Sequence, residues 1–385
     1  MADNKDKKVL NVPALRFPGF KNSWDCTILE KLSKKIGDGI HSTPSYDDDG
    51  TFYFINGNNL NRGKIVITSS TKRVSEKEAY KNNAENLEAD SILMSINGTI
   101  GNVALYNNEP IMLGKSACYI NSKDNVDKKF LFYYLQYPKT QSYFEAELTG
   151  TTIKNLSLQS IRKTKICIPT IEEQHKISHF LQKIDERIAT QNKIIEDWKK
   201  LKSAIYQKIF ESLVAPTLKL GQIVEIIKGQ QVNGTDLLEQ GDYYVMNGGT
   251  TPSGWLNTYN TECNTISISE GGNSCGYVQY NTSRYWSGGH CYSLRILNTH
   301  ETIDLYLYHY LKWQEGNIMA LRIGSGLPNI QKKDLLRFPV ILPTISLQKR
   351  IVSILNAIEE KVTCENSITE HFTKHKEYLL NELFI

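Results

Sequence analysis

The stretch IPTIEEQHKI, residues 168–177, is answered by LPTISLQKRI, residues 342–351. Sliding the chain by 174 residues aligns 150–211 with 324–385 without a gap, and sixteen of those 62 positions are identical. Among them are Gly150/Gly324, Asn155/Asn329, Pro169/Pro343, Thr170/Thr344, Gln174/Gln348, Leu181/Leu355, Ile184/Ile358, Glu196/Glu370 and Phe210/Phe384. An ungapped match of that length marks an internal duplication.

The duplicated stretch reads as a long helix. Ile177, Leu181, Ile184, Ile188, Gln191, Ile195, Trp198, Ile205 and Ile209 step by alternating four and three, with one position skipped at Lys202. The second copy repeats the steps at Ile351, Leu355, Ile358, Val362, Glu365, Thr369, Phe372, Leu379 and Leu383. This is a heptad seam, with polar Gln191 and Glu365 at one shared position. Thr170 followed by Glu173 predicts a capping box at the first helix start, whereas the second copy has Leu347 in place of the glutamate. About 41 residues at 1.5 Å each give helices of roughly 60 Å. Two such helices, polar on their outer faces, most simply bury their seams against one another, so that the chain runs out along one and back along the other.

The segments before each helix are rich in Gly, Asn, Ser, Tyr and β-branched residues, with short alternating runs that predict strands. They also correspond: YFING (53–57) with YVMNG (244–248), SILMSINGTIG (91–101) with TISISEGGNSCG (265–276), FLFYYLQ (130–136) with YLYHYLK (306–312). The expected fold is α+β, a tandem duplication of a β-rich head and a long helix, the helices pairing as an antiparallel coiled coil. Its segments are a head at 1–167, a helix at 168–213, a head at 214–341 and a helix at 342–385. The heads diverge most between Gly57 and Ile92, where 34 residues intervene against only 17 between Gly248 and Ile266. A projecting loop is the place for such a difference.

Composition narrows the class. With 45 basic and 41 acidic residues in 385, the net charge of +4 permits nucleic-acid binding without requiring it. Seven scattered cysteines, odd in number and without a CxxC pair, fit neither a disulfide framework nor a zinc ribbon, and point to buried thiols in a reducing cytoplasm. Cys275 with His290 and Cys291 lacks a fourth ligand at zinc spacing. His175 and His179 stand at helix metal-pair spacing, but Lys349 and Ser353 occupy the repeat-related positions, which speaks against a ligand role. The N-terminal MADNKDKKVLNVPALRF has lysines but no apolar run behind them, and no 18-residue apolar stretch occurs, so export and membrane insertion are not expected.

Heads that share a framework and differ in loops suit the reading of two different things at a set separation. The loops offer Lys34, Lys35, His41, Asn58, Asn59, Arg62 and Lys64 in the first head, and Lys228, Gln230, Gln231, Asn233, Arg284, Tyr285 and Trp286 in the second. Asn and Gln suit adenine edges, while Arg and Lys suit guanine or phosphate. These side chains are the candidate DNA-binding set.

The segment VPALRFPGFKNSW, the IPTIEEQ and LPTISLQ helix starts and the two-unit layout resemble the DNA-sequence-specificity (S) subunits of type I restriction-modification systems, over essentially the whole chain. Pro169, Thr170, Glu173 and Gln174, with Pro343, Thr344 and Gln348, fall on that family's helix-start pattern; Leu347 departs from it. The resemblance implies that each head reads half of a split double-stranded DNA site, and that the helices set the spacing and dock two methyltransferase (M) subunits. Restriction (R) subunits then join. It implies no cofactor in this chain, with S-adenosylmethionine, ATP and Mg in the partners.

The residues agree with chemistry residing elsewhere. An adenine methyltransferase needs an Asn/Asp-Pro-Pro-aromatic tetrad, and the chain contains no Pro-Pro pair, no GxxxxGK[ST] and no GxGxxG. The one dense acidic run, YDDDG (46–50), reads as a solvated turn rather than a nuclease site. Two rival classes remain to be tested: a two-headed adhesin or carbohydrate-binding scaffold, and a monomeric DNA methyltransferase or nuclease.

Overall fold

A computed structural model describes residues 11–82, 84–89, 91–150, 154–324, 326 and 328–385; residues 1–10, with the N-terminal lysines and the start of the first head as read from sequence, lie outside the described residues. The chain forms two compact units, residues 1–192 with 368–385 and residues 193–367.

In unit one, strands Asp25–Ile28 and Lys165–Ile168 pair antiparallel at the foot of the head. The main sheet has four antiparallel strands in the order Ser33–Asp38, Ala117–Ser122, Ile92–Ser95, Val103–Leu105. A smaller sheet sets Phe52–Ile55 between Arg73–Val74, antiparallel, and Ile111–Leu113, parallel. Helix Lys128–Gln136, N-capped by Asp127, turns nearly every face inward because six of its nine residues are apolar or aromatic.

Unit two repeats this strand for strand. Thr217–Lys219 pairs with Pro339–Ile341. The main sheet runs Val224–Lys228, Cys291–Ile296, Thr265–Ser269, Val278–Asn281, and the smaller one sets Tyr243–Met246 between Trp255–Leu256, antiparallel, and Trp286–Ser287, parallel. Helix Asp304–Trp313 takes the place of Lys128–Gln136. The repeat-related Gly150 and Gly324 have φ of 96° and 95°, a left-handed backbone that explains the shared glycine. Just beyond them, Asn155 bridges Thr149 and Asn97, as Asn329 bridges Ile323 and Gly271.

The first long helix, Ile171–Glu211, contributes residues 171–192 to unit one and 193–211 to unit two, while the second, Ile345–Leu383, begins in unit two and ends in unit one. None of the eighteen seam residues is exposed. The pairing is antiparallel within each unit. In unit one, Lys376 lies 2.7 Å from Asp185, and Ile177 and Leu181 share a core with Leu379 and Leu383. In unit two, Lys202 lies 2.7 Å from Glu359, and Tyr206 and Phe210 share a core with Ile351 and Leu355.

The shared glutamines fasten each helix start to its head. Gln174 accepts from the Asp127 N–H at 2.9 Å and donates to the Pro169 carbonyl at 2.9 Å; Gln348 accepts from the Ile303 N–H at 2.8 Å and donates to the Pro343 carbonyl at 2.8 Å. Both are buried, so a shorter or apolar residue would strand backbone groups that water cannot reach.

Two sequence expectations fail. Glu173 does not close a capping box; its carboxylate, 1% exposed, receives Arg16 Nε and Nη2 at 2.7 Å each. That fork clasps the N-terminal ALRFPGF arm, and Leu347 in the second copy has no such arm to hold. Cys26 and Cys167 are joined by a disulfide, being directly opposite on the paired strands. The register of two strands 141 residues apart creates that pairing, and spacing along the chain does not reveal it. In unit two the same rung is formed by Thr217 and Ile341, so the framework does not require the bond.

Candidate nucleic-acid interface

In the first head, Lys34 and Lys35 leave opposite faces of the edge strand Ser33–Asp38. Lys34 is held by Asp124 at 2.6 Å, which raises its proton affinity, and Lys35 donates to Asn86 at 2.6 Å. His41 sits just past this strand, 72% exposed and bonded to Asp38 at 2.8 Å. Arg62 and Lys64 lie at the other edge of the main sheet. There the hairpin Leu60–Asn61/Lys64–Ile65 turns through Arg62 and Gly63, with φ of 46° and 79°, and packs on Val103–Leu105. A left-handed arginine costs about 1–2 kcal/mol against glycine or asparagine. Both Arg62 and Lys64 are exposed. Asn58 is exposed beside this hairpin, whereas Asn59 spends its side chain on the Asn56 N–H and the Val66 carbonyl. The seven candidates of this head therefore form two groups on opposite sheet edges rather than one patch.

The second head gathers its candidates more closely. Gln230 joins the turn after Ser287 through its N–H, and its carbonyl accepts from Trp286 Nε1 at 3.1 Å. Gln231 and Asn233 are exposed on the same loop, Asn233 donating to Asp236 at 3.2 Å. Arg284 is half-exposed, paired with Glu262 at 2.9 Å and lying 4.8 Å over the Tyr259 ring. Lys228 pairs with Glu270 at 2.7 Å. Tyr285 is a correction: it is fully buried, stacked on Tyr244 at 5.5 Å with its hydroxyl 3.0 Å from Ser293 Oγ. Strand alternation turns it inward and Trp286 outward, so Tyr285 supports the loop from beneath.

The sequence-derived set leaves out further side chains of the heads. Lys72 lies 4.2 Å over the exposed Tyr46 ring and Arg73 lies 5.0 Å over Tyr53, on the smaller sheet of the first head. Glu270 and His290 join Lys228 in the second. The signal that could have found Glu270 is the repeat itself, since Ile96 holds its place in the first head. Among the described residues no group of His, Cys, Asp and Glu is arranged to hold a metal ion, and no helix is long and apolar enough to cross a membrane. Cys275 and Cys291 are buried free thiols, the latter pushed up to about 11 by burial.

A family model, the type I restriction modification DNA specificity domain, matches twice, at residues 28–199 and 216–373. A Mycoplasma genitalium protein described as a type I specificity subunit is 25% identical over 355 residues, covering 87% of each chain. A similarly described Mycoplasma pneumoniae protein is 35% identical over 167 residues, 43% of this chain and 44% of its own. The crystal structure of the type I restriction-modification S subunit from M. genitalium superimposes with a TM-score of 0.62 at 22% identity, over 97% of this chain and 99% of that one.

Proposed function

Because the chain belongs to the type I restriction-modification DNA specificity family, we propose that each of its heads reads one half of a bipartite DNA site while the long helices fix the gap and dock two methyltransferase subunits. The observation that carries this reading is the strand-for-strand repetition of one head framework under loops that differ. A shared scaffold with unlike loops suits two unlike half-sites. Phosphates supply affinity and base edges supply sequence. The candidate residues Lys34, Lys35, His41, Asn58, Arg62 and Lys64 serve the first half-site, and Lys228, Gln230, Gln231, Asn233, Arg284 and Trp286 the second. Tyr285 and Asn59 hold loops in shape.

The docking half of the proposal rests on exposed apolar residues that recur at repeat-related positions of the two long helices. Phe180 and Ile194 are 36% and 37% exposed, and their repeat-related partners Ile354 and Ile368 are 49% and 36% exposed. Each of the four immediately precedes a seam residue (Leu181, Ile195, Leu355 and Thr369), so they flank the seam, where a further helix can pack alongside. One such pair in each unit, Phe180 with Ile368 and Ile354 with Ile194, suits two copies of one partner. In this reading the chain is not itself an enzyme and binds no cofactor. Methyltransferase subunits bring S-adenosylmethionine, restriction subunits bring ATP and Mg, and the assembly works on DNA in the cytoplasm.

Co-expression with a type I methyltransferase subunit, followed by mapping of methylated adenines across the host genome, tests the reading. A split motif with two dissimilar halves is expected. An unbroken motif, or methylation and cleavage by the purified chain alone, would replace it with the enzyme reading. DNA binding without a steep loss on raising salt would count for a scaffold that recognises something else.

A further inference from the structure

The two heads differ by one charge at a matched backbone position. Ile96 and Glu270 each follow the central strand of the main sheet, and each donates its N–H to the neighbouring turn, Ile96 to Ser116 at 2.9 Å and Glu270 to His290 at 2.8 Å. Ile96 is buried among apolar neighbours. Glu270 places a carboxylate in the same position, with its side chain only 12% exposed. One oxygen, Oε1, is spoken for by Lys228 Nζ at 2.7 Å and by the Tyr292 hydroxyl at 3.1 Å. The other, Oε2, is buried without a hydrogen-bond partner, with His290 Nδ1 3.9 Å away. Beside it stand Lys228, 54% exposed at the end of the strand that leads to Gln230, and His290, 60% exposed in the turn that follows Trp286 and Ser287.

A buried acceptor without a donor is disfavoured in the free protein, and fixing Lys228 and Tyr292 takes only the other oxygen. An oxygen left vacant beside two candidate reading loops is suited to a donor that arrives with the ligand. On a DNA major groove the donors that match a carboxylate are the exocyclic amines, cytosine N4 and adenine N6. We propose that Glu270 is a base-specifying residue of the second head, its Oε2 accepting from an exocyclic amine once the exposed His290 ring turns aside, with Lys228 directed to the adjoining phosphate. This rests on the two-headed reading above and deepens it. It also explains an asymmetry, because the first head, with Ile96, has no carboxylate at this position.

Motif mapping by methylation in the full complex, for the unaltered chain, Glu270→Gln and Glu270→Ile, tests the proposal. In the unaltered complex one position of the second half-site should require cytosine or adenine, and which of the two appears identifies the amine. Glu270→Ile, which has no acceptor, should relax that position by about tenfold, Glu270→Gln, which keeps one acceptor oxygen but loses the charge, should relax it less, and both should leave the first half-site unchanged. His290→Ala keeps the carboxylate and clears its approach, so it should retain the requirement, and it gives a reading even if the Glu270 variants fold poorly. An unchanged second half-site in both Glu270 variants, or equal weakening of both halves, overturns the proposal in favour of a strut for Lys228 and Tyr292. Loss of the requirement in His290→Ala overturns it in favour of the imidazole. Absence of any split motif from the unaltered complex is a different result, and removes the two-headed reading itself.

Discussion

At the scale of single residues, the chain places charge where removal of one partner is expensive. Arg16 and Glu173 form a two-bond fork that is 14% and 1% exposed, and the bond to Glu173 holds the Arg16 guanidinium's proton affinity above its usual value. Arg16→Ala leaves the carboxylate buried and alone, and should destabilise unit one by about 3 kcal/mol, read as a lower denaturant midpoint. The repeat-related change Leu347→Ala, at a position 36% exposed, should move the midpoint little. Gln174→Leu and Gln348→Leu should each cost about 1–3 kcal/mol, because each strands a backbone N–H and a carbonyl. The shared glutamine stood out in the sequence as an identity, but its partners did not. Asp127 and Ile303 are 47 and 45 residues away, and only the tertiary fold brings them near. Tyr285 and the Cys26–Cys167 bond escaped for the same reason, since inward direction and strand register are set by partners far along the chain.

At the scale of elements, the long helices were legible because a heptad seam is a local pattern that survives any change of neighbour. The strands were legible as alternating runs, and the matching of the heads as aligned words. The contacts joining each head helix to the rods were not. In unit one the Tyr133 hydroxyl donates to Asp185 at 2.8 Å, and Lys376 holds the same carboxylate. In unit two the corresponding acid is Glu359, held by Lys202 at 2.7 Å and by the Tyr206 hydroxyl at 3.0 Å. There His309, fully buried, bonds Tyr206 at 2.6 Å and Asn356 at 2.8 Å. Burial lowers the proton affinity of the His309 imidazole from its ordinary 6.5, against an upward pull from Asn356 and Glu359. A buried neutral histidine binds fewer protons folded than unfolded, so its contribution is complete above pH 6.5 and is lost as pH falls below that value. Burial raises the Glu359 carboxyl, but Lys202, His309 and Tyr206 together outweigh it and leave the group below 4.5, so a second loss follows in stronger acid. Melting of the whole protein between pH 7 and 5 should show unit two weakening first, by up to about 1.4 kcal/mol per pH unit. His309→Gln, which keeps hydrogen-bonding groups but cannot titrate, should flatten that slope.

At the scale of the whole molecule, the predictions concern spacing and assembly. Lengthening both helices by one heptad adds about 10 Å to each, and with B-DNA rising 3.4 Å per base pair the unspecified gap should grow by about three base pairs. Methylation mapping reads that directly, and an unchanged gap would mean the rods do not set it. Ile194→Glu with Ile368→Glu should leave the purified chain folded, since both side chains are more than a third exposed, and should abolish its co-purification with methyltransferase subunits. Another consequence follows from where unit one finds its last pieces. Leu379, Leu380, Leu383 and Phe384 complete a core otherwise built before residue 193, with the Phe384 ring 5.3 Å from both Phe130 and Tyr134. A ribosome adding about 5–20 residues each second therefore needs some ten to forty seconds to deliver them after the first head has emerged. Through that interval the first head must wait for residues translated long after its own, and a nascent chain interrupted before they are made leaves that head without part of its core.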